Sequence, residues 1–241
     1  VGSGVALDTD GDGWLQLTGW RANDVRPTDE NSKIVISAGS NITIGENDAI
    51  NILNDLTIEA GATLTVNKSV TLDGENGISN AGTLEFSVNV NIREDLDFVN
   101  AEGSTVKYSG NAEQNIYFAE YDKLYLSGTG DKIFESGNYK LSDAITVANA
   151  LQLIGTGRTS FTGTDSRLLY LQNTTQNYAY TVKVSGISLH GGTGDAGGAV
   201  YVGSFATLDM ENGSIDGAVS TGGGGAIYVA NNGVIRLNNV T

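Results

Sequence analysis

The sequence contains no cysteine, one histidine, one methionine and one proline among its 241 residues. Without cysteine the chain has no disulfide framework and no thiolate to act as nucleophile or metal ligand. The single histidine, His190, is the one available imidazole base, and it cannot build a His-based zinc site alone. It directly precedes Gly191-Gly192. We therefore interpret His190 as a turn residue at the end of a strand.

Basic residues are scarce as well. The chain has 13 Lys and Arg residues against 28 Asp and Glu residues, which gives a formal net charge of −15. Such a surface repels nucleic acid and anionic membranes and suits divalent cations. We therefore expect no nucleic-acid partner. The sequence has no signal-peptide pattern and lacks the run of about 18 apolar residues that a membrane-spanning helix needs. We expect no membrane insertion by this segment.

Glycine is abundant, with 33 residues, and it frames an internal repeat. Gly197–Val202 (GGAVYV) returns 27 residues later as Gly224–Val229 (GGAIYV), and the match runs on in register to Asn212 and Asn239. A fixed period of this size, built from short alternating strands between Gly and Asn turns, is typical of a solenoid. Asn212 and Asn239 follow strand ends, where we predict an internal asparagine ladder.

A shorter repeat, with an offset near 20, relates the segments 60–66, 80–86 and 103–108. Parallel coils stack about 4.8 Å apart, so equivalent positions form inward columns of apolar side chains. The predicted columns are Leu64, Leu84 and Val106; Val66, Phe86 and Tyr108; and a third begun by Leu56, Ile78 and Leu96.

These patterns predict an all-β protein whose main part is a right-handed parallel β-helix of about ten coils. A left-handed helix would need hexapeptide repeats, which the sequence lacks. We predict two parts: an acidic N-terminal cap at residues 1–30, and the β-helix at 31–241. Because Thr241 stops part-way through a repeat, we expect the helix to be truncated at its C-terminus.

The cap holds a candidate calcium site. Asp8, Asp10 and Asp12 alternate before Gly13, like the first half of an EF-hand loop. The twelfth position counted from Asp8 lacks the usual Glu, so Asp24 or another carboxylate would have to complete the shell. The alternative interpretation is a solvated acidic turn.

Tyr201 and Tyr228 occupy equivalent positions of the 27-residue repeat, and period two places both on the outer face. They form either a stabilising aromatic ladder or a contact for a sugar ring or protein partner. The irregular stretches 158–167 and 171–179 are predicted to form a shallow groove with further tyrosines, namely Tyr170, Tyr178 and Tyr180.

The sequence carries few residue patterns of an enzyme active site. Inverting glycosidases need two carboxylates about 6.5–9.5 Å apart, and the chain has no Asp-Asp dipeptide. The nearest match to a lyase site is Asp165 with Arg167, an isolated pair that we interpret as part of a solvated turn. We expect no catalytic residues in this chain.

Two stretches carry a family resemblance. Tyr121–Gly130 (YDKLYLSGTG) resembles a passage of surface β-helix proteins of the Bacteroidetes type. Val182–Gly192, followed by the two GGA(V/I)YV units, is similar to the repeat region of bacterial polymorphic outer-membrane proteins and related adhesins. Together the resemblances cover about residues 105–241. They imply an exported bacterial surface protein, secreted or held at the cell surface by a C-terminal anchor.

The leading functional prediction is a non-catalytic, adhesin-like stalk that contacts a glycan or protein on another surface. The first alternative is a β-helix that binds or cleaves polysaccharide. The second is a subunit of an extracellular filament that self-associates through its coil ends.

Overall fold

The computed structural model describes residues 5–7, 14–17, 33–46, 52–53, 55–74 and 76–241. Within them every regular element is a β-strand, apart from one turn of 3₁₀-helix at Gln176–Tyr178. The fold is a parallel β-solenoid of about eight turns, which confirms the predicted fold class. The chain divides into two compact units, Val1–Lys107 and Tyr108–Thr241. The predicted boundary at residue 30 stays a prediction.

Three sheets of short strands make up the first unit, in the orders β1-β2-β3-β6-β9-β12, β4-β7-β10-β13 and β5-β8-β11. Among the described strands of this unit, β1 and β2 pair antiparallel, and the other pairs with a defined register are parallel. The strands are β1 Val5–Leu7, β2 Trp14–Leu17, β3 Lys33–Ile36, β4 Asn41–Ile44, β5 Ile52–Leu53, β6 Leu56–Ile58, β7 Thr63–Val66, β8 Thr71–Leu72, β9 Ile78–Asn80, β10 Thr83–Phe86, β11 Asn91–Ile92, β12 Phe98–Asn100 and β13 Thr105–Tyr108.

The inward columns of the first unit follow the predicted register. Leu84 lies beside Leu64 and Phe86 beside Val66, and all four side chains are fully buried. The prediction for Leu96 is wrong, because Phe98 is the residue that aligns with Ile78. Leu96 belongs instead to a turn that its backbone N–H closes on the carbonyl of Arg93, so the strand starts two residues later.

A buried asparagine ends one of these columns. Asn80 is 1% exposed and follows Ile58 in register. Its Nδ2 donates to Asn100 Oδ1 at 3.0 Å, and its Oδ1 accepts the Gly82 N–H at 3.1 Å. These bonds satisfy the amide, which would otherwise be costly to bury.

The second unit has longer strands. Its strands form three sheets, in the orders β15-β18-β20-β23-β26, β14-β16-β19-β21-β24-β27 and β22-β25. In the second of these, β17 also pairs with β19. The strand pairs of all three sheets are parallel. The strands are β14 Gln114–Ile116, β15 Lys123–Leu126, β16 Lys132–Phe134, β17 Gly137–Lys140, β18 Ile145–Val147, β19 Leu151–Gly163, β20 Leu169–Leu171, β21 Tyr180–Gly191, β22 Thr193–Ala196, β23 Val200–Val202, β24 Ala206–Asp216, β25 Val219–Gly223, β26 Ile227–Val229 and β27 Val234–Val240.

The long strands bend where glycines meet. Gly186 has a φ of +69°, and a Cβ there would lie 2.7 Å from the carbonyl oxygen of Gly155. Coils in this unit are also longer than the sequence predicted: Tyr170 and Tyr201 are adjacent in register but 31 residues apart. Longer coils reduce the predicted ten turns to about eight.

Candidate functional site

The predicted calcium ligands Asp8, Asp10, Asp12 and Asp24 all lie outside the described residues, so calcium binding stays a prediction. Elsewhere in the described part of the chain, no group of three or more His, Asp or Glu residues is placed to hold a metal ion. The candidate contact surfaces of the described residues lie on the outer faces of the second unit.

Tyr170, Tyr201 and Tyr228 form what we call the tyrosine row. They occupy one register position on β20, β23 and β26. The Tyr170 and Tyr201 ring centroids are 5.2 Å apart at 57°, and those of Tyr201 and Tyr228 are 5.3 Å apart at 21°. The parallel register sets this spacing, because each tyrosine points outward between two apolar neighbours, which for Tyr201 are the fully buried Val200 and Val202. The predicted stacking of Tyr201 and Tyr228 is confirmed.

Arg167 covers the side of the row. Its guanidinium carbon lies 5.4 Å from the centroid of the Tyr201 ring, within cation–π range. Its Nη2 pairs with Asp195 and its Nε donates to the Ala196 carbonyl at 3.0 Å. The guanidinium turns toward the next coil, whereas Asp165 lies exposed in a bend and accepts a hydrogen bond from Thr164, as the solvated-turn interpretation predicts.

The neighbours of Tyr201 shift the pKa of its phenol upward. Burial raises its pKa above the ordinary value, and the neighbouring phenols of Tyr170 and Tyr228 add to the shift, while Arg167 opposes it. Tyr201 is half-buried, and its neutral hydroxyl can both donate and accept hydrogen bonds.

The other two predicted contact tyrosines lie outside the row. Tyr178 sits in the 3₁₀ turn and is 76% exposed. Tyr180 is half-buried, and its hydroxyl donates to the Val147 carbonyl at 2.7 Å.

Residues 158–163, which the sequence analysis assigned to an irregular stretch, belong to β19. Tyr125, 41% exposed, extends the column through Thr146, and the sequence analysis missed it.

His190 is a strand residue rather than a turn residue, since it lies within β21. Its Nδ1 is 2.8 Å from Asp216 Oδ2 on the next strand, and Thr162 is its neighbour on the other side. The two side chains are 40% and 62% exposed. The pair therefore stands on an open sheet face, where water is not excluded.

A second outward face carries a shallow groove of about 250 Å³, which we call the charged groove. It lies on β19, β21 and β24, just before the glycine bend. Its lining residues are Gln152, Ile154, Lys183, Val184, Ser185, Asp209 and Glu211. The signal available in the sequence was the alternation of polar and apolar residues along each strand, which places these polar residues outward.

No helix in the described residues is long and apolar enough to cross a membrane. Comparisons of this chain with protein-family models, with curated proteins and with solved structures find no match.

Proposed function

We propose that this chain is a non-catalytic, adhesin-like β-solenoid of a bacterial surface, secreted or cell-attached, whose tyrosine row contacts a protein on another surface. The observation that carries the proposal is the outward stack of Tyr170, Tyr201 and Tyr228 with Arg167 beside it. Tyrosine and arginine are enriched in the cores of protein interfaces. The family resemblance supports the surface location.

The stacking of the rings favours a protein over a sugar as the partner of the row. A sugar packs on a free aromatic face, whereas the Tyr201 ring stacks on Tyr228 and has the Arg167 guanidinium over it. Ring edges and hydroxyls remain for contact. Pre-stacked rings also lose little conformational freedom on binding, which lowers the entropic penalty of association.

The arrangement closest to a catalytic one supports the non-catalytic part of the proposal. General acid–base catalysis relies on a positioned group in a site that excludes water. His190 and Asp216 are hydrogen-bonded, but both are substantially exposed on a flat face. We therefore assign them a cross-strand structural role.

Bead adhesion tests the proposal. Beads coated with the chain are applied to surfaces carrying fibronectin, collagen, fibrinogen or mucin, and to blocked plastic. Tyr201→Ser combined with Tyr228→Ser should reduce adhesion to a recognised protein, while Tyr178→Ser, in the exposed turn outside the row, should not. Equal adhesion by the row variant and the unmodified chain would contradict the assignment.

A parallel assay separates adhesion from catalysis. The chain is incubated, with calcium, against pectin, alginate, glucans and glycosaminoglycans. We expect no release of unsaturated or reducing ends. Release that disappears with His190→Ala would replace the proposal with the polysaccharide-cleaving alternative.

A further inference from the structure

The charged groove has a polar composition that the tyrosine row lacks. Gln152, Lys183 and Asp209 stand side by side on three adjacent strands. On the same face, Ser185 donates to Glu211 at 3.1 Å, and Ile154 lies beside Ser185. Parallel neighbours are about 4.8 Å apart, so these side chains all reach one short stretch of surface.

Three polar groups in the groove are unpartnered as far as the described residues go. Within the described residues, Gln152, Lys183 and Asp209 make no side-chain hydrogen bond or ion pair to another residue. Lys183 and Asp209 are register neighbours of opposite charge, yet their charged atoms do not approach within ion-pair distance. An ammonium, a carboxylate and an amide are thus left to face a ligand.

The charges of the face balance. Lys183 and Asp209 are followed in the same row by Arg236, and the row beside it contains Glu211. Arg236 lies beside Asp209 on the next strand and does not line the groove; with it, the face has two positive and two negative side chains, in a protein whose net charge is −15. A polyanion would meet both carboxylates and the overall negative charge, and a polycation would meet Lys183 and Arg236. The face therefore favours an uncharged ligand.

The remaining groups specify the chemistry of that ligand. A hydroxyl both donates and accepts, so it pairs with the carboxylates of Asp209 and Glu211 as well as with Lys183 and Gln152. The Ile154 side chain supplies an apolar patch for the C–H face of a ring. The groove volume, about 250 Å³, lies below the usual range of about 300–1,000 Å³ for small-molecule pockets, which fits a short chain segment bound weakly.

We propose that the charged groove is a second binding site, for a short segment of a neutral, hydroxyl-rich polysaccharide. The site is separate from the tyrosine row and does not depend on the role proposed for that row. It gives the non-catalytic solenoid a glycan contact on one sheet and a protein contact on another.

Amide-detected NMR titration tests this site with defined probes. Maltohexaose, cellohexaose, laminarihexaose and mannohexaose represent neutral glycans, with oligogalacturonate and chitosan oligomers as charged counterparts. We expect at least one neutral probe to bind at millimolar concentration, with shifts at Gln152, Lys183 and Asp209. Lys183→Ala combined with Asp209→Ala should weaken that binding by about tenfold or more.

Controls locate the site. Ser188→Ala, on the same strand beyond Gly186, should leave binding unchanged, as should Tyr201→Ser with Tyr228→Ser. Circular dichroism confirms that each variant is folded. The proposal is overturned if no neutral probe binds, if a charged probe binds as tightly, or if only the tyrosine variants lose binding. The last result would instead assign glycan recognition to the row.

Discussion

Asn239 donates its side-chain amide to Asn212 Oδ1 across 2.9 Å, from a position 27 residues later in the chain. Both asparagines have a left-handed backbone, with φ values of 52° and 54°. The pair marks the bend that follows the apolar part of β24 and β27. Asparagine is suited to it because its amide bonds along the stack and its backbone tolerates positive φ.

Asn212→Ala should therefore destabilise the chain more than Asn212→Gly. Alanine loses the hydrogen bond and also strains the backbone, by roughly 1–2 kcal/mol, whereas glycine accepts the conformation. Urea unfolding should show a gap of about 1 kcal/mol between the two variants. Equal stabilities would mean that the left-handed backbone at residue 212 relaxes without strain.

Leu84 should be among the most sensitive positions of the first unit. It is fully buried beside Leu64, so Leu84→Ala should lower the free energy of unfolding by about 2–5 kcal/mol. Leu84→Asp should cost more, because it buries an unpaired carboxylate. Thr65→Ala, on the outer side of the neighbouring strand, is the matched control and should change stability by less than about 1 kcal/mol. A small effect of both Leu84 variants would contradict the inward column.

The sequence predicted the register wherever coil length is regular. Leu64 and Leu84 carry matching motifs at one offset, as do Tyr201 and Tyr228, so equivalent positions become neighbours in the stack. The error at Leu96 has a local cause. A turn closed by the Leu96 N–H moves the strand start, and hydrophobic pattern alone does not reveal which leucine or phenylalanine begins it.

The charged groove and the Arg167–Asp195 contact depend on longer, unequal coils. Gln152 and Lys183 are 31 residues apart, whereas Lys183 and Asp209 are 26 apart. No fixed period aligns these three residues, because the loop between successive strands changes length. The sequence also does not reveal the direction in which a long side chain points. Arg167 pairs with Asp195, 28 residues away, rather than with its near neighbour Asp165.

Calcium binding at the N-terminus is tested by calorimetry. The alternating carboxylates of Asp8, Asp10 and Asp12, with Asp24, should bind Ca²⁺ in the range of about 10⁻⁴–10⁻³ M that is common in extracellular modules. Binding to the folded form should raise the melting temperature. Asp10→Asn with Asp12→Asn should remove both effects, and Asp165→Asn should remove neither. An absence of heat and of any melting shift in the unmodified chain would eliminate the site.

Lys132 should give stability a distinctive pH dependence. Its side chain is fully buried, and its Nζ donates to Gln114 Oε1 at 2.8 Å and to the Gly110 carbonyl at 3.0 Å. Burial lowers its pKa from 10.5 to about 8, although Asp131 opposes the shift. Below pH 8 both the folded and unfolded forms are protonated, and the full burial penalty is present. As the pH rises above 8, Lys132 loses its proton in the folded form before it does so in the unfolded form.

Stability should therefore rise with pH between about 8 and 10.5 relative to a variant that lacks this group. A neutral amine still has two N–H donors, enough for both of its bonds. Urea unfolding at several pH values should show the unmodified chain gaining roughly 2 kcal/mol over Lys132→Met from about pH 7 to about pH 9.5. Subtracting the unfolding free energy of Lys132→Met from that of the unmodified chain removes the contribution of the tyrosine titrations, which both proteins share. Lys183→Met, at an exposed position, should show no such slope, and a flat difference for Lys132→Met would mean that the buried amine keeps an ordinary pKa.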